Sequence, residues 1–355
     1  MAEPPTVHYI MSFLSHLERV AERRNLTAEE AEAAMHAILS GELSQAQIAG
    51  LLVALRMKGE SSDELVGFAR AMRQMAVKVD AGLQGVPLVD TCGTGGDGSG
   101  TFNISTIAAF VVAGAGVHVA KHGNRSITKS RTGRGSADLL ESLGVRLPMA
   151  PAEAARAIRE VGIGFLFAPS VHTAMKHAQP VRIELGIRTV FNLLGPLTNP
   201  AGADAQVVGA PSERAAELMA EALAKLGLRH GFVVHGSDGM DEITTTGATL
   251  AFEVREGKAE RRMLEPGDFA VPAANAEDLL GGEQARQREI AVAVLAGERG
   301  PRRDIVLVNA AAALVAAGKV DTFLEGMAIG TVSIDTGAAM GKVQELARYS
   351  QGAPG

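Results

Sequence analysis

The chain has 355 residues, enough for two domains, and its 46% hydrophobic and 21% charged content is that of an ordinary globular protein. A net charge of −6, no tryptophan and 4% aromatic residues argue against nonspecific nucleic-acid binding, which needs cations and stacking faces. With one cysteine (Cys92), no apolar run of roughly 20 residues and no secretory signature at the N-terminus, a cytoplasmic chain without disulfides or membrane spans is expected.

Residues 1–82 read as a small all-helical unit. Thr27-Ala-Glu-Glu30, Ser44-Gln-Ala-Gln47 and Ser61-Ser-Asp-Glu64 each put a hydroxyl three residues before Glu or Gln, the spacing of a capping box. Gly41 and Gly59 fall where the helices between these starts should end. Between those signals Ala33, Ala34, Ala37, Ile38 and then Leu51, Leu52, Leu55 recur at helical spacing.

After the linker DAGLQGVP the pattern changes. Short apolar runs (PLVDTC, VHVAKHG, GFLFAP, AQVVGA, HGFVVHG) alternate with helical ones, predicting βα units around a mainly parallel sheet over 83–355. Sites in such sheets lie beyond the carboxyl ends of the strands. A helical pattern near 172–195 is expected to join the N-terminal unit, and helices resume from Ile305.

The first strand runs into DTCGTGGDGSGTFNIST. Gly93-Thr-Gly95-Gly-Asp-Gly98 satisfies G-x-G-x-x-G, yet no Asp or Glu occurs between Gly98 and Ala137 to meet a dinucleotide ribose. No Gly-Lys-Ser/Thr closes the loop either, so a P-loop is excluded. What remains is a turn rich in N–H donors, with Asn103, Ser105 and Thr106 at a helix entry. The next strand ends in Lys121-His-Gly-Asn-Arg125, followed by Lys129, Arg131 and Arg134. Two consecutive strand-end loops, one of N–H donors and one of cations, suit a ligand with more than one phosphate. Asp97 lies inside this donor-rich turn, and the adjacent pair Asp241-Glu242 in a glycine-flanked loop suits either a solvated turn or an oxygen-coordinated divalent cation.

GTGGDGSGTFNIST, then KHGNRS, AMKHAQPVRIELGIRTVFNLLGPLTNP and GMDEIT, in that order over essentially the whole chain, resemble the anthranilate phosphoribosyltransferase family of tryptophan biosynthesis. The resemblance implies a homodimer of nucleoside phosphorylase/phosphoribosyltransferase-like fold, with a small helical domain and a large α/β domain. It implies transfer of the 5-phosphoribosyl group from phosphoribosyl pyrophosphate (PRPP) to the amine of anthranilate, with Mg²⁺ and no nucleic-acid or membrane partner. It assigns Gly93, Gly96, Asp97, Thr101, Asn103, Ser105, Thr106 and Lys121 to PRPP, and leaves open which of Lys129, Ser130 and Ser136 meets pyrophosphate. Gly93, His122, Asn124, His172 and Arg182 match its anthranilate positions, and Ser105, Asp241 and Glu242 its Mg²⁺ positions. The chain departs from the family in the longer, more basic ITKSRTGRGS stretch and in Thr173, where proline is common. A related nucleoside phosphorylase and a non-catalytic nucleotide- or nucleic-acid-binding relative are the alternatives; the acidic pair, Arg182 and the KHGN and LGPLTNP motifs speak against them.

Overall fold

The computed structural model of the chain describes residues 5–95, 98–125 and 135–352, with side chains from residue 12 onward. Four helices open it: α1 (Pro5–Ala21), α2 (Ala28–Leu39), α3 (Gln45–Lys58) and α4 (Ser62–Met75). All three expected capping boxes form. Glu30 N–H donates to Thr27 Oγ1 at 3.2 Å and Thr27 N–H to Glu30 Oε2 at 2.8 Å, with matching pairs at Ser44/Gln47 and Ser61/Glu64. Gly41 and Gly59 take positive φ (77° and 85°) just past α2 and α3, a conformation that costs glycine little.

The five expected parallel strands are β1 (Leu88–Asp90), β2 (His118–Gly123), β3 (Ile163–Phe167), β4 (Ala205–Gly209) and β5 (His230–Gly236). They stand in the order β3-β2-β1-β4-β5. A hairpin of β6 (Thr249–Arg255) and β7 (Lys258–Leu264) extends the sheet antiparallel beyond β5. Its two-residue turn has positive φ at both Glu256 and Gly257 (51° and 73°), the backbone twist that suits a tight hairpin. Lys258, Glu260, Arg261 and Arg262 put charge on the edge strand, which discourages edge-to-edge pairing.

Consecutive strand residues face opposite sides of the sheet. Val207, Phe232, Val234 and Ala251 join the core built with α5 (Ile104–Gly114) and the helix Pro301–Ala317. Val208, Val233, Leu250 and Phe252 join the core that contains α1–α4. The segment expected near 172–195 forms a 3-10 turn, Thr173–His177, on α2, and two short helices: Gln179–Leu185 on α3 and Phe191–Leu197 on α4. Among the described residues no helix is long and apolar enough to cross a membrane.

Candidate active site

The chain leaves β1 toward β2 on one side and enters β4 on the other, so the turns after β1 and β4 diverge at a topological switch point, where open α/β sheets bind ligands. The turn after β1 is tied to β4 by Thr94 N–H on the Gly209 carbonyl at 3.0 Å. The acidic pair is seated against it. Gly95 N–H donates to Asp241 Oδ2 at 2.9 Å, and Ser105 N–H donates to Glu242 Oε1 at 3.1 Å. Two glycines permit this approach: a Cβ on Gly93 would lie 2.9 Å from Asp241 Oδ2, and one on Gly209 would lie 1.7 Å from the Asp241 carbonyl. Asn309 grips the next residue, accepting Ile243 N–H and donating to its carbonyl, both at 3.0 Å. Asp238 accepts from Met240 N–H at 3.1 Å and from Thr244 Oγ1 at 2.6 Å, holding the loop from the other end.

The second turn meets the first along β2. Lys121 is buried and its Nζ donates to the Thr91 carbonyl at 2.6 Å, bracing the start of the glycine turn. His122, Gly123 and Asn124 follow, and Ser136 comes back against them; a Cβ on Gly123 would lie 2.2 Å from Ser136 Oγ. Arg125 turns away, pairing with Glu141 and Asp138 and stacking on Phe167 at 5.6 Å.

Beside Gly93 and Thr94 opens a cavity of about 430 Å³ whose walls carry all five residues matched to the anthranilate side: Gly93, His122, Asn124, His172 and Arg182. Cys92, Met72, Met175, Pro169, Phe191 and Pro196 supply apolar surface. Arg182 stacks over Phe191 at 5.1 Å and reaches Gln179 Oε1 at 3.5 Å. Burial pulls its pKa below the usual value, and among the described residues no carboxylate pairs with it. The His122 and His172 rings lie 5.1 Å apart, and the Nε2 atom of each is buried without a partner among the described residues. His122 Nδ1 sits 3.1 Å from the Gly195 carbonyl, which suits the tautomer protonated there.

Burial pushes both imidazoles down, His122 to about 3 (with His172 as the next cause) and His172 to about 4. Both are neutral at pH 7. The unfolded chain, with histidines near 6.5, takes up protons first as pH falls, so their contribution to stability is full above 6.5 and is lost on the way down toward 4 and 3. Asp90, raised to about 6 by burial, acts in the opposite sense between 6 and its unfolded value of 3.8, and two histidines outweigh one carboxyl. Melting curves should therefore show the melting temperature falling between pH 6.5 and 4.5, with a shallower slope in His122→Gln/His172→Gln; equal slopes would contradict this.

The other matched positions are more varied. Asn103 stands just before α5, but its side chain does not cap it: Asn103 Nδ2 and N–H both donate to Gln287 Oε1, at 3.1 and 3.0 Å. Thr101 pairs by its hydroxyl with Ser99 at 3.1 Å and bridges to Leu280, while Thr106 is buried. Gly96, Asp97, Lys129 and Ser130 lie outside the described residues, as do Arg131 and Arg134. Sequence reasoning missed Asp90, Asn199, Gln287 and Asn309, whose hydrogen bonds hold the turns; Asn199 stood inside the quoted LGPLTNP.

Asp241 and Glu242 suit Mg²⁺ by donor chemistry. They are hard oxygen ligands, and Glu242 shares with Ser105, Thr91 and Asn309 a void of about 10 Å³, room for one water. A second cluster, Asp90, Cys92 and His122, brings its ligand atoms within 4.8 Å of one another. It does not suit Mg²⁺: burial pushes the Cys92 thiol up and keeps it protonated, and both Asp90 oxygens already accept hydrogen bonds.

Residues 85–340 match the glycosyl transferase family, a/b domain, and residues 14–76 match its helical bundle domain. The chain is 71% identical to anthranilate phosphoribosyltransferase of Solibacter usitatus, over 96% of this chain and 99% of the relative. The crystal structure of the Thermus thermophilus anthranilate phosphoribosyltransferase superposes with a TM-score of 0.88 at 44% identity, covering 94% of this chain and 99% of that one. The Saccharomyces cerevisiae enzyme, solved in complex with PRPP and Mg, superposes with a TM-score of 0.86 at 27% identity, covering 96% and 98%. The same yeast enzyme in complex with 4-fluoroanthranilate gives a TM-score of 0.84 at 26% identity, with the same coverage. With turns, acidic pair and cavity arranged on a fold shared almost end to end with these proteins, the chain belongs to the anthranilate phosphoribosyltransferase family.

Proposed function

We propose that the chain transfers the 5-phosphoribosyl group of PRPP to the amine of anthranilate and releases pyrophosphate. The observation that carries this reading is the position of Gly93, which belongs both to the turn against Asp241 and to the wall of the cavity holding Arg182. A donor bound along the turn and an acceptor bound in the cavity would meet there. The bond from C1 to the pyrophosphate oxygen breaks with its electron pair on that oxygen, the amine nitrogen bonds to C1, and the amine gives up one proton to the departing pyrophosphate or to water.

In this reading the Arg182 fork binds the anthranilate carboxylate, and its stacking on Phe191 fixes the plane of the guanidinium. His122 and His172, neutral and each with an unpartnered Nε2, hydrogen-bond the polar edge of the ring, while Asn124 and Gly93 close the same wall. Gly93, Gly96, Asp97, Thr101, Asn103, Ser105 and Thr106 line the PRPP side, with Lys121 bracing the turn and Lys129, Ser130 or Ser136 meeting pyrophosphate. Mg²⁺ held by Asp241 and Glu242, with Ser105 beside them, would supply positive charge against the departing pyrophosphate. No residue is assigned as general base; alignment and charge neutralisation carry the chemistry.

Product formation from anthranilate and PRPP, with and without Mg²⁺, tests the reading directly. Turnover of a nucleoside with phosphate instead would replace it with a phosphorylase. Arg182→Ala should remove a charge-assisted contact of about 1.5–3 kcal/mol, roughly 10–150-fold in anthranilate KM, with PRPP KM little changed. An unchanged anthranilate KM would take Arg182 out of this role. A homodimer belongs to the same proposal, supported by exposed Leu14 on α1 and Val53 and Met57 on α3; a single-chain mass in sedimentation would remove it.

A further inference from the structure

Where β1 and β2 part, two side chains take over the work of the missing strand. The β1–β2 ladder runs Leu88↔His118 and Val89↔Val119 and stops there, while β1 keeps its pairing to β4 (Val89↔Ala205, Asp90↔Gln206) and β2 runs on toward the cavity with no strand on that side. The backbone groups of β2 so left would be buried without partners, a costly state. Asp90 Oδ1 accepts His122 N–H at 3.1 Å, and Asn199 Nδ2 donates to the Ala120 carbonyl at 2.8 Å. The two side chains are joined by Asn199 Nδ2 on Asp90 Oδ2 at 2.7 Å, and Asn199 Oδ1 accepts Ala201 N–H at 2.9 Å. Both residues are buried, and neither lines the cavity. The residues whose backbone they fix, His122 and its successors Gly123 and Asn124, do line it.

We propose that Asp90 and Asn199 form a carboxylate–amide wedge that holds the strands apart at the switch point and positions His122 and Asn124 for the aromatic amine. They are positioning residues: they touch no substrate and act through the end of β2. The proposal rests on the reading of the cavity as the anthranilate site. Lys121, whose Nζ donates to the Thr91 carbonyl, is the cation whose charge acts on Asp90.

The test is steady-state kinetics in both substrates for Asp90→Asn, Asn199→Asp and the double exchange D90N/N199D, with Arg182→Ala alongside. Each single change opposes like groups, donor to donor or carboxylate to carboxylate. It should raise anthranilate KM by about tenfold or more while PRPP KM moves less than about twofold. The double exchange leaves an amide oxygen at position 90 for His122 N–H but sets a carboxylate against the Ala120 carbonyl, so it should not recover the native anthranilate KM. Single variants with native anthranilate KM, equal rises for both substrates, or full recovery in the double exchange would overturn the proposal. If Arg182→Ala leaves anthranilate KM unmoved while the wedge variants raise it, the cavity reading has failed instead. Hydrogen exchange on the native chain decides the matter should a variant not fold: the His122 amide should be among the slowest at the strand ends, and exchange at the rate of an open loop would overturn the wedge.

Discussion

Exchanging Asp241 and Glu242 for Asn and Gln should lower turnover by about 10²–10⁴-fold, the scale of several kcal/mol of metal-borne charge stabilisation, and raise the Mg²⁺ concentration needed. The variant should still fold. An amide oxygen can accept Gly95 and Ser105 N–H as the carboxylates do, and the loop is held separately by Asn309 and Asp238. The change thus removes charge while leaving shape. It also probes a competition visible in the structure: the N–H groups that a phosphate would use are engaged by the acidic pair, so drawing the carboxylates onto a cation would release donors to the substrate. Measured Mg²⁺ dependence equal to that of the native chain would place the metal elsewhere.

Glu64→Ala should cost about 3–5 kcal/mol of stability, the usual penalty for leaving one member of a buried ion pair behind. Glu64 is fully buried and Lys58 nearly so, with Nζ to Oε2 at 2.9 Å. The same carboxylate accepts Ser61 N–H at 2.8 Å as part of the capping box and Leu26 N–H at 3.0 Å from the turn before α2. One side chain therefore closes α4, anchors a loop and neutralises a lysine. Urea unfolding of the variant gives the value directly; a loss under about 1 kcal/mol would show that the ion pair contributes little beyond the cap.

Features written locally were legible in the sequence. Capping boxes at Thr27, Ser44 and Ser61 and the five buried parallel strands each occupy a few adjacent residues, and each formed as expected. The β6–β7 hairpin carries no such local mark in β7, which is mostly exposed and charged and so lacks an apolar signature. In the site, the residues that face the cavity carried the family's motifs, whereas those that hold it together did not announce themselves. Asn309 lies 66 residues from the loop it grips and Gln287 lies 184 from Asn103, so only the fold brings them into use. The family resemblance assigns Lys121 and Asn103 to PRPP. In the structure Lys121 Nζ donates to Thr91 and Asn103 Nδ2 to Gln287, contacts that motif spacing does not announce.

The helix Glu213–Lys225 touches both α4 and the strands β5 to β7, and its Leu218, Met219 and Leu223 belong to the same apolar mass as α1–α4. The N-terminal bundle is accordingly not a detachable bead. Cutting the chain in the 77–87 connection should yield two pieces that stay together, and expressing either alone should give an insoluble product with its greasy side bare. A change in the width of the crevice is therefore expected to proceed by small sliding steps within that common layer rather than by a free swing.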